Sequence, residues 1–570
     1  MLAFFDRLPS ASEGCTSRLL WFCATLSLFT GLVSWGTQTL QGGVIAMWAF
    51  AVGGVLVALV LPFPYALSAP LFVGVLGWLV NMMPFVLLVT WLAVIIRWAW
   101  LLWTERRLPL GGRWIWLPIA LLVWTGAGIL VIGKPDFKHF LLLLGVQVLI
   151  SGSLLLVVDQ LRDIEQRARA SAGLVAFVIV LSVGVLLQWV GVPIQPMQDD
   201  EVRYRVEEAY GVDAFPNNLG MIKYARSVKP GITELDTKLK RARSETPEIP
   251  RFEIFRPKFQ AFENSLVIQF NGSARPYEGE LAEVGVRLIY DDVGVAPANT
   301  VPRLRSFPRN ALTYAGVSAA LLPLAFFLWW SGTGRRRLLG QLGVAACLFG
   351  VGFSLARGAW VAVALGMLYL LIDGAVNRRR KVEFLAAYLA AGLVLTGVFL
   401  VKYDVDPLSG RAGGGASVTT RDDLYRDTLS FLSGKYMIFG YGTEQPRTES
   451  GTVREGEGQR YVPRAGTHST YLNYLFRLGV PGFVMIVALY LVAGLHARAA
   501  AREKEGDERL FATCVAAGVV IAGAHAAILS LYVEPIYTLS ISAMLGLAVA
   551  SAVGLRRSVW PWRRTSEAAP

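Results

Sequence analysis

Apolar runs of bilayer length, each with two charged residues at most, recur from one end of this chain to the other. They fall at about 19–36, 44–62, 80–103, 114–132, 138–158, 173–193, 310–331, 338–356, 358–376, 383–402, 471–498, 509–531 and 537–555. About 20 apolar residues of helix cross a hydrocarbon core, and backbone inside that core must satisfy its own hydrogen bonds. The expected fold is therefore an all-α polytopic membrane protein with 12–14 transmembrane helices. The stretch 63–81 is the ambiguous one, because Pro62, Pro64 and Pro70 punctuate it and allow a short or re-entrant helix. Composition agrees: only 17% of the 570 residues are charged and mean hydropathy is +0.49. A soluble domain carries about 25% charge, so several soluble domains, a disordered chain or a small disulfide scaffold are excluded.

The formal charge is +13. Such an excess can mark a nucleic-acid binder, but its distribution here points elsewhere, and no nucleic-acid partner is expected. Arg106, Arg107 and Arg113 share one loop, and Arg162, Arg167 and Arg169 another. Arg335–Arg337, Arg378–Lys381, the group Arg498, Arg502 and Lys504, and the tail arginines Arg556, Arg557, Arg563 and Arg564 follow. Counting crossings puts all six clusters on one face, which the positive-inside rule assigns to the cytoplasm. Asp6 and Glu13 interrupt the N-terminus, so no cleavable signal is expected there. The four cysteines include no CxxC pair, so neither a zinc site nor a disulfide framework is indicated.

Two long polar segments fall on the opposite, outer face and divide the chain. The expected units are 1–193, N-terminal membrane helices; 194–309, an outer insertion; 310–402, central membrane helices; 403–470, an outer loop; and 471–570, C-terminal helices with a tail. Within the insertion, Val202–Tyr210 and Ile232–Arg243 read as helical, whereas Ser265–Phe270 and Val284–Tyr290 alternate as strands do. The insertion is thus expected to be a small α+β domain, and 403–470 a partly helical loop.

Soluble-enzyme signatures are absent: there is no GxxxxGK[ST], no HExxH and no metal-spaced ligand cluster. The chemistry-bearing residues gather on the outer face instead. Arg357 sits between two apolar spans with almost no loop, where a guanidinium is costly and marks function, a buried ion pair or a snorkelling side chain. Arg421 lies in Thr419–Tyr425 and reads equally as a surface ion-pair partner of a nearby Asp. His468 stands where the outer segment re-enters the membrane, and a satisfied interfacial histidine is its ordinary alternative. His525, inside a span, reads as a packed polar residue. Two guanidinium forks can hold phosphate oxygens, and a neutral imidazole can take a proton from an attacking hydroxyl. Within 403–470, eight Arg and Lys face nine Asp and Glu, so the candidate site is no generic basic patch.

At these residues the chain resembles the O-antigen ligase/polymerase superfamily of bacterial inner membranes. Ser354–Trp360 resembles its serine-arginine-glycine turn, and Arg421 with Leu424 and Tyr425 matches a further motif. Ile438–Gly442 resembles its Pro-Leu-x-Gly-x-Gly stretch. His468–Leu472 with Leu478–Gly482 resembles the histidine motif and its following helix, and Asn310–Tyr314 an asparagine motif upstream. The resemblance covers about 300–555. It implies a multi-pass inner-membrane glycosyltransferase acting on the periplasmic face, with a glycan on undecaprenyl pyrophosphate as donor. The acceptor it implies is a second glycan, lipid A–core or a protein hydroxyl. A polymerase or ligase of surface polysaccharide ranks above a protein O-oligosaccharyltransferase, since only about 15 residues follow 555. By the same resemblance Arg357 and Arg421 hold the pyrophosphate and His468 activates the acceptor, inverting the anomeric carbon without metal, nucleotide or other cofactor. Arg303, Arg305, Asn310, Tyr425 and Tyr471 are the candidate substrate contacts. Membrane lipid and a chain-length regulator are the remaining candidate partners. Two departures stand out: Ser469 where Asn is common, and Arg477 where an acidic residue is frequent. The rival from another class is a transporter or flippase of lipid-linked glycans, but transporters place broken helices and charge at the midplane of related halves, and no internal repeat is visible here.

Overall fold

The computed structural model describes residues 16–36, 40–79, 83–106, 112–132, 137–189, 311–354, 356–374, 376–403, 429, 432–442, 469–529 and 534–553, with seven four-residue strands between 203 and 461. The N-terminal half builds α1 (Thr16–Gly36), α2 (Leu40–Val60), α3 (Phe63–Ala66), α4 (Ala69–Leu79), α5 (Met83–Thr104), α6 (Trp116–Ile132), α7 (Phe137–Gln160) and α8 (Ile164–Trp189). The second half builds α9 (Ala311–Ser331), α10 (Gly334–Phe353), α11 (Arg357–Ile372), α12 (Arg378–Tyr403), α13 (Lys435–Phe439), α14 (Thr470–Glu503), α15 (Gly506–Ile528) and α16 (Pro535–Ser551). The ambiguous stretch 63–81 resolves into α3 and α4: Pro62 caps α3, and Ser68 separates it from α4.

Among the described residues, six helices are long and apolar enough to cross a membrane: Met83–Thr104, Leu143–Gln160, Ile164–Leu187, Leu312–Ser331, Thr470–Glu503 and Gly506–Ile528. Six shorter apolar helices accompany them: Arg18–Ser34, Val44–Val60, Phe63–Gly77, Trp116–Gly128, Arg357–Ile372 and Pro535–Ser551. The expected crossings at 338–356 and 383–402 lie in α10 and α12, both of which open with arginine clusters.

The small α+β insertion is not supported. Among the described residues of 194–309 there is no helix, only β1 (Arg203–Val206), β2 (Phe252–Phe255), β3 (Val267–Phe270), β4 (Ser273–Pro276) and β5 (Val286–Ile289). β1 pairs antiparallel with β5, and β2, β3 and β4 form an antiparallel three-stranded ladder. β1 occupies the heart of the expected helix Val202–Tyr210, whose Arg-Tyr-Arg-Val core alternates polar and apolar residues as an edge ladder requires. The expected helix Ile232–Arg243 lies outside the described residues. In the second outer segment, α13 is joined by the hairpin β6 (Thr452–Glu455) with β7 (Gly458–Tyr461).

α9 is the centre of the bundle. It is buried on all sides against α8, α10, α15 and α16, which its small residues permit: Ala315, Ser318, Ala319 and Ala320 are all buried. Ser182 of α8 hydrogen-bonds the Tyr314 hydroxyl (2.7 Å) and donates to Ala346 O (3.0 Å), tying α8, α9 and α10 at one level. At one end of the bundle the basic loops meet. The Arg167 guanidinium, 1% exposed, pairs with Glu508 (3.1 Å), which also holds Lys504 (2.8 Å). Arg336 pairs with Glu165 (3.3 Å), and Arg380 donates to Trp330 O (3.4 Å). These contacts bring four of the basic clusters together, as the charge pattern requires.

Candidate functional site

At the end away from the basic loops, three pieces of backbone converge. The first is the turn between α10 and α11. Ser354 caps α10, its hydroxyl donates to Val351 O (3.0 Å), and the Ala356 amide donates back to Ser354 Oγ (3.4 Å). The Trp360 indole donates to the same Val351 carbonyl (2.8 Å). Ala356 and Ala359 are buried, so Arg357, the first residue of α11, is left exposed. Gly358 beside it lies against Ile528 and Leu529 at the end of α15.

The second piece starts α14. Ser469 caps the helix, accepting from the Leu472 amide (3.4 Å), and the Thr470 hydroxyl donates to Leu529 O (2.8 Å). The residues after His468 therefore share the end of α15 with the turn that presents Arg357. Tyr471 turns inward: its hydroxyl donates to Gly523 O (3.1 Å) and its ring meets Tyr490 edge-on.

The third piece is a junction between the outer loop and a break in α14. At Gly479 the backbone leaves the helix (φ 68°, ψ −170°), and Pro481 supplies no amide. A break there frees carbonyls of the preceding turn, and buried carbonyls need donors. Three are provided. Tyr441 N donates to Phe476 O (2.7 Å), Gly442 N to Arg477 O (2.9 Å), and the Trp124 indole to Leu478 O (2.9 Å). Gly440 adopts the same conformation as Gly479 (φ 69°, ψ −169°), a region open almost only to glycine. The two are reciprocally packed: a Cβ on Gly440 would strike the Arg477–Leu478 peptide, and one on Gly479 the Ile438 carbonyl. Tyr436, Tyr441 and Phe476 stack in series (4.1 and 4.9 Å), and Trp124 stacks on Phe439 (5.4 Å). Arg477, the residue that departs from the expected acidic one, donates to Gly442 O (2.9 Å) and so fastens the same junction.

The segment 470–478 runs across the end of the bundle from Leu529 to Trp124. Its middle is fixed by Gln147 of α7, whose side chain donates to the Tyr474 hydroxyl (2.8 Å). Beneath it lies a cavity of about 30 Å³ bordered by Ile150, Tyr474, Tyr490, Tyr537, Thr538 and Ser542. Ile486, Leu489, Ile541 and Leu545 line it as well, so its walls are mostly apolar. His525 is fully buried and hydrogen-bonds Tyr537 (3.2 Å), as a packed polar residue.

Of the residues singled out from sequence, Arg357 and Tyr471 are described. Arg421, His468, Arg303, Arg305, Asn310 and Tyr425 lie outside the described residues. Trp124 and Gln147 were not anticipated. Gln147 left a signal, a carboxamide inside an apolar run, but Trp124 looked like any other core aromatic.

The O-antigen ligase family model matches residues 342–487. That interval opens in α10, takes in Arg357, Arg421, the Gly440–Gly479 junction and His468, and closes within α14. No curated protein shows a match to the chain. The protein is a multi-pass membrane protein of glycan-transferring type, and its residues 342–487 are similar to the O-antigen ligase family.

Proposed function

We propose that the chain transfers a glycan from undecaprenyl pyrophosphate to an acceptor hydroxyl on the periplasmic face of a bacterial inner membrane, as a polymerase or ligase of surface polysaccharide. The observation that supports this reading best is the shared end of α15. There the turn presenting Arg357 abuts Ile528 and Leu529, and Thr470, two residues after His468, bonds Leu529 O. Twelve to fourteen crossings, with the basic loops inside, complete the topology.

In this scheme the acceptor oxygen attacks the anomeric carbon as the bond from that carbon to the phosphate oxygen breaks. Undecaprenyl pyrophosphate leaves, and His468 takes the acceptor's proton. Arg357 and Arg421 bind the diphosphate, whose charge grows as the bond breaks. The glycan and phosphate contacts are Arg303, Arg305, Asn310, Tyr425 and Tyr471, the last through its ring because Gly523 engages its hydroxyl. Protein purified into lipid nanodiscs and given the lipid-linked glycan tests the roles. His468→Ala with undiminished transfer disproves the general base. Arg357→Lys keeps the charge but loses the fork, and wild-type turnover in that variant disproves the pyrophosphate assignment. Surface glycans from cells lacking the gene separate the acceptors: shortened chains, chains absent from lipid A, or missing protein glycans.

A further inference from the structure

Two side chains from the N-terminal half, outside residues 342–487, hold the segment of α14 that follows His468. We infer that Trp124 and Gln147 are positioning residues for the transfer reaction, an inference that rests on the function proposed above.

The geometry carries the assignment. Within the C-terminal half the 470–478 segment is held by Thr470 on Leu529 O, Tyr471 on Gly523 O and the amides of Tyr441 and Gly442 on Phe476 O and Arg477 O; the N-terminal half adds a hold at its far end and another at its centre. At the far end the Trp124 indole takes Leu478 O (2.9 Å), the last carbonyl before the break at Gly479. The same ring lies parallel to Phe439 (interplanar 10°), so one side chain grips both the broken helix and α13. Gly128, one turn further along α6, also lies beside Phe439 O. At the centre, Gln147 is fully buried and donates to Tyr474 Oη (2.8 Å), while its own oxygen has no partner among the described residues. A buried carboxamide with an unmet acceptor is destabilising where Leu would pack, so its presence calls for a role beyond packing. Tyr474 is the middle residue of the segment and borders the cavity beneath it. A shift of Tyr474 or Leu478 would tilt the whole segment and move its start, where Ser469 and Thr470 follow His468 directly. Displacements of about 1 Å at a reacting centre cost up to about a hundredfold in rate.

Full-length protein in nanodiscs, supplied with undecaprenyl-pyrophosphate-linked glycan, provides the test. Trp124→Phe keeps the ring over Phe439 and removes only the donor. It is expected to lower kcat about tenfold while KM for the donor stays within about twofold, the size of one lost hydrogen bond to a buried carbonyl. Amide hydrogen exchange over 476–482 should quicken by a similar factor. Trp124→His, which restores a ring N–H, should recover part of kcat. Gln147→Leu should lower kcat likewise, without loss of folded protein. Wild-type kcat in both Trp124→Phe and Gln147→Leu overturns the inference, whether or not exchange changes. So does a parallel rise in KM, or exchange that does not move. Wild-type protein that transfers no glycan is a different result: it refutes the proposed function itself.

Discussion

Replacing Gly479 by alanine sets two opposing quantities against each other at the junction. Docking of Gly440–Gly442 onto α14 is held by three hydrogen bonds, from Tyr441 N, Gly442 N and the Arg477 guanidinium. At about 0.5–1.5 kcal/mol net apiece these amount to roughly 1.5–4.5 kcal/mol, and the Tyr436–Tyr441–Phe476 stack adds about 1 kcal/mol more. Alanine at φ 68°, ψ −170° brings roughly 1–3 kcal/mol of backbone strain. Its methyl also meets the Ile438 and Met437 carbonyls, which are backbone atoms and cannot turn aside. Moving them pulls on the very bonds that hold the loop. Strain and overlap together match the holding energy, so the docked state should lose about 3 kcal/mol, close to a hundredfold in population. The assay is amide hydrogen exchange in detergent or nanodiscs. Tyr441 and Gly442 amides should exchange about a hundredfold faster in Gly479→Ala, and glycan transfer should fall with them. Gly440→Ala should behave the same way, because its Cβ would strike the Arg477–Leu478 peptide. Gly126→Ala is the control: nothing lies within 4 Å of its added methyl, and a helical site gains about 0.5–1 kcal/mol from alanine. If Gly479→Ala keeps wild-type protection at 441 and 442, the reciprocal glycine packing does not hold the loop and the reasoning fails.

Three further outcomes are expected. Glu508→Ala removes the carboxylate that pairs with the buried Arg167 guanidinium and should cost about 3 kcal/mol; Glu383→Ala loses the exposed Arg379 pair and should cost under about 1 kcal/mol, so thermal unfolding that ranks them equally would count against the buried pair. Gly316→Val should destabilise by about 1–3 kcal/mol through overpacking, since even a Cβ there would sit 2.5 Å from His525 Cε1 and 2.7 Å from Tyr537 Cε2; an unchanged unfolding midpoint would show that α9, α15 and α16 do not pack this closely. In a background without native cysteines, Ile438→Cys should react with an impermeant maleimide added to cells whose outer membrane is permeabilised, and Arg379→Cys only after lysis; labelling of both from one side would refute the topology.

Local signals were readable in the sequence and distant pairings were not. Apolar runs and arginine clusters are local, so the helices and the basic end could be placed residue by residue. The stretches 354–360, 438–442 and 478–482 could each be recognised alone. That Gly440 and Gly479 exist for one another could not, because each is needed only where the other's backbone fills the place of a Cβ. Arg477 stands where the resemblance leads one to expect an acidic residue, and only the fold shows that its guanidinium donates to Gly442 O. The same limit explains Val202–Tyr210, where pairing of Arg203–Val206 with Val286–Ile289 decides the backbone and helical periodicity does not.

Under the function proposed above, the junction also bears on the chain that carries Arg421 and His468. Without it, one chain segment of about 65 residues would join α12 to α14, with Arg421 near its start and His468 at its end. Docking at 440–442 divides that segment into two arms of roughly 30 and 25 residues, one carrying Arg421 and the other closing at His468. Halving a loop lowers its closure entropy by only about 0.6 kcal/mol, so the thermodynamic gain is slight. The geometric gain is larger. Each arm now returns to a point fixed by Phe476 O and Arg477 O on α14 and, through Trp124, by α6.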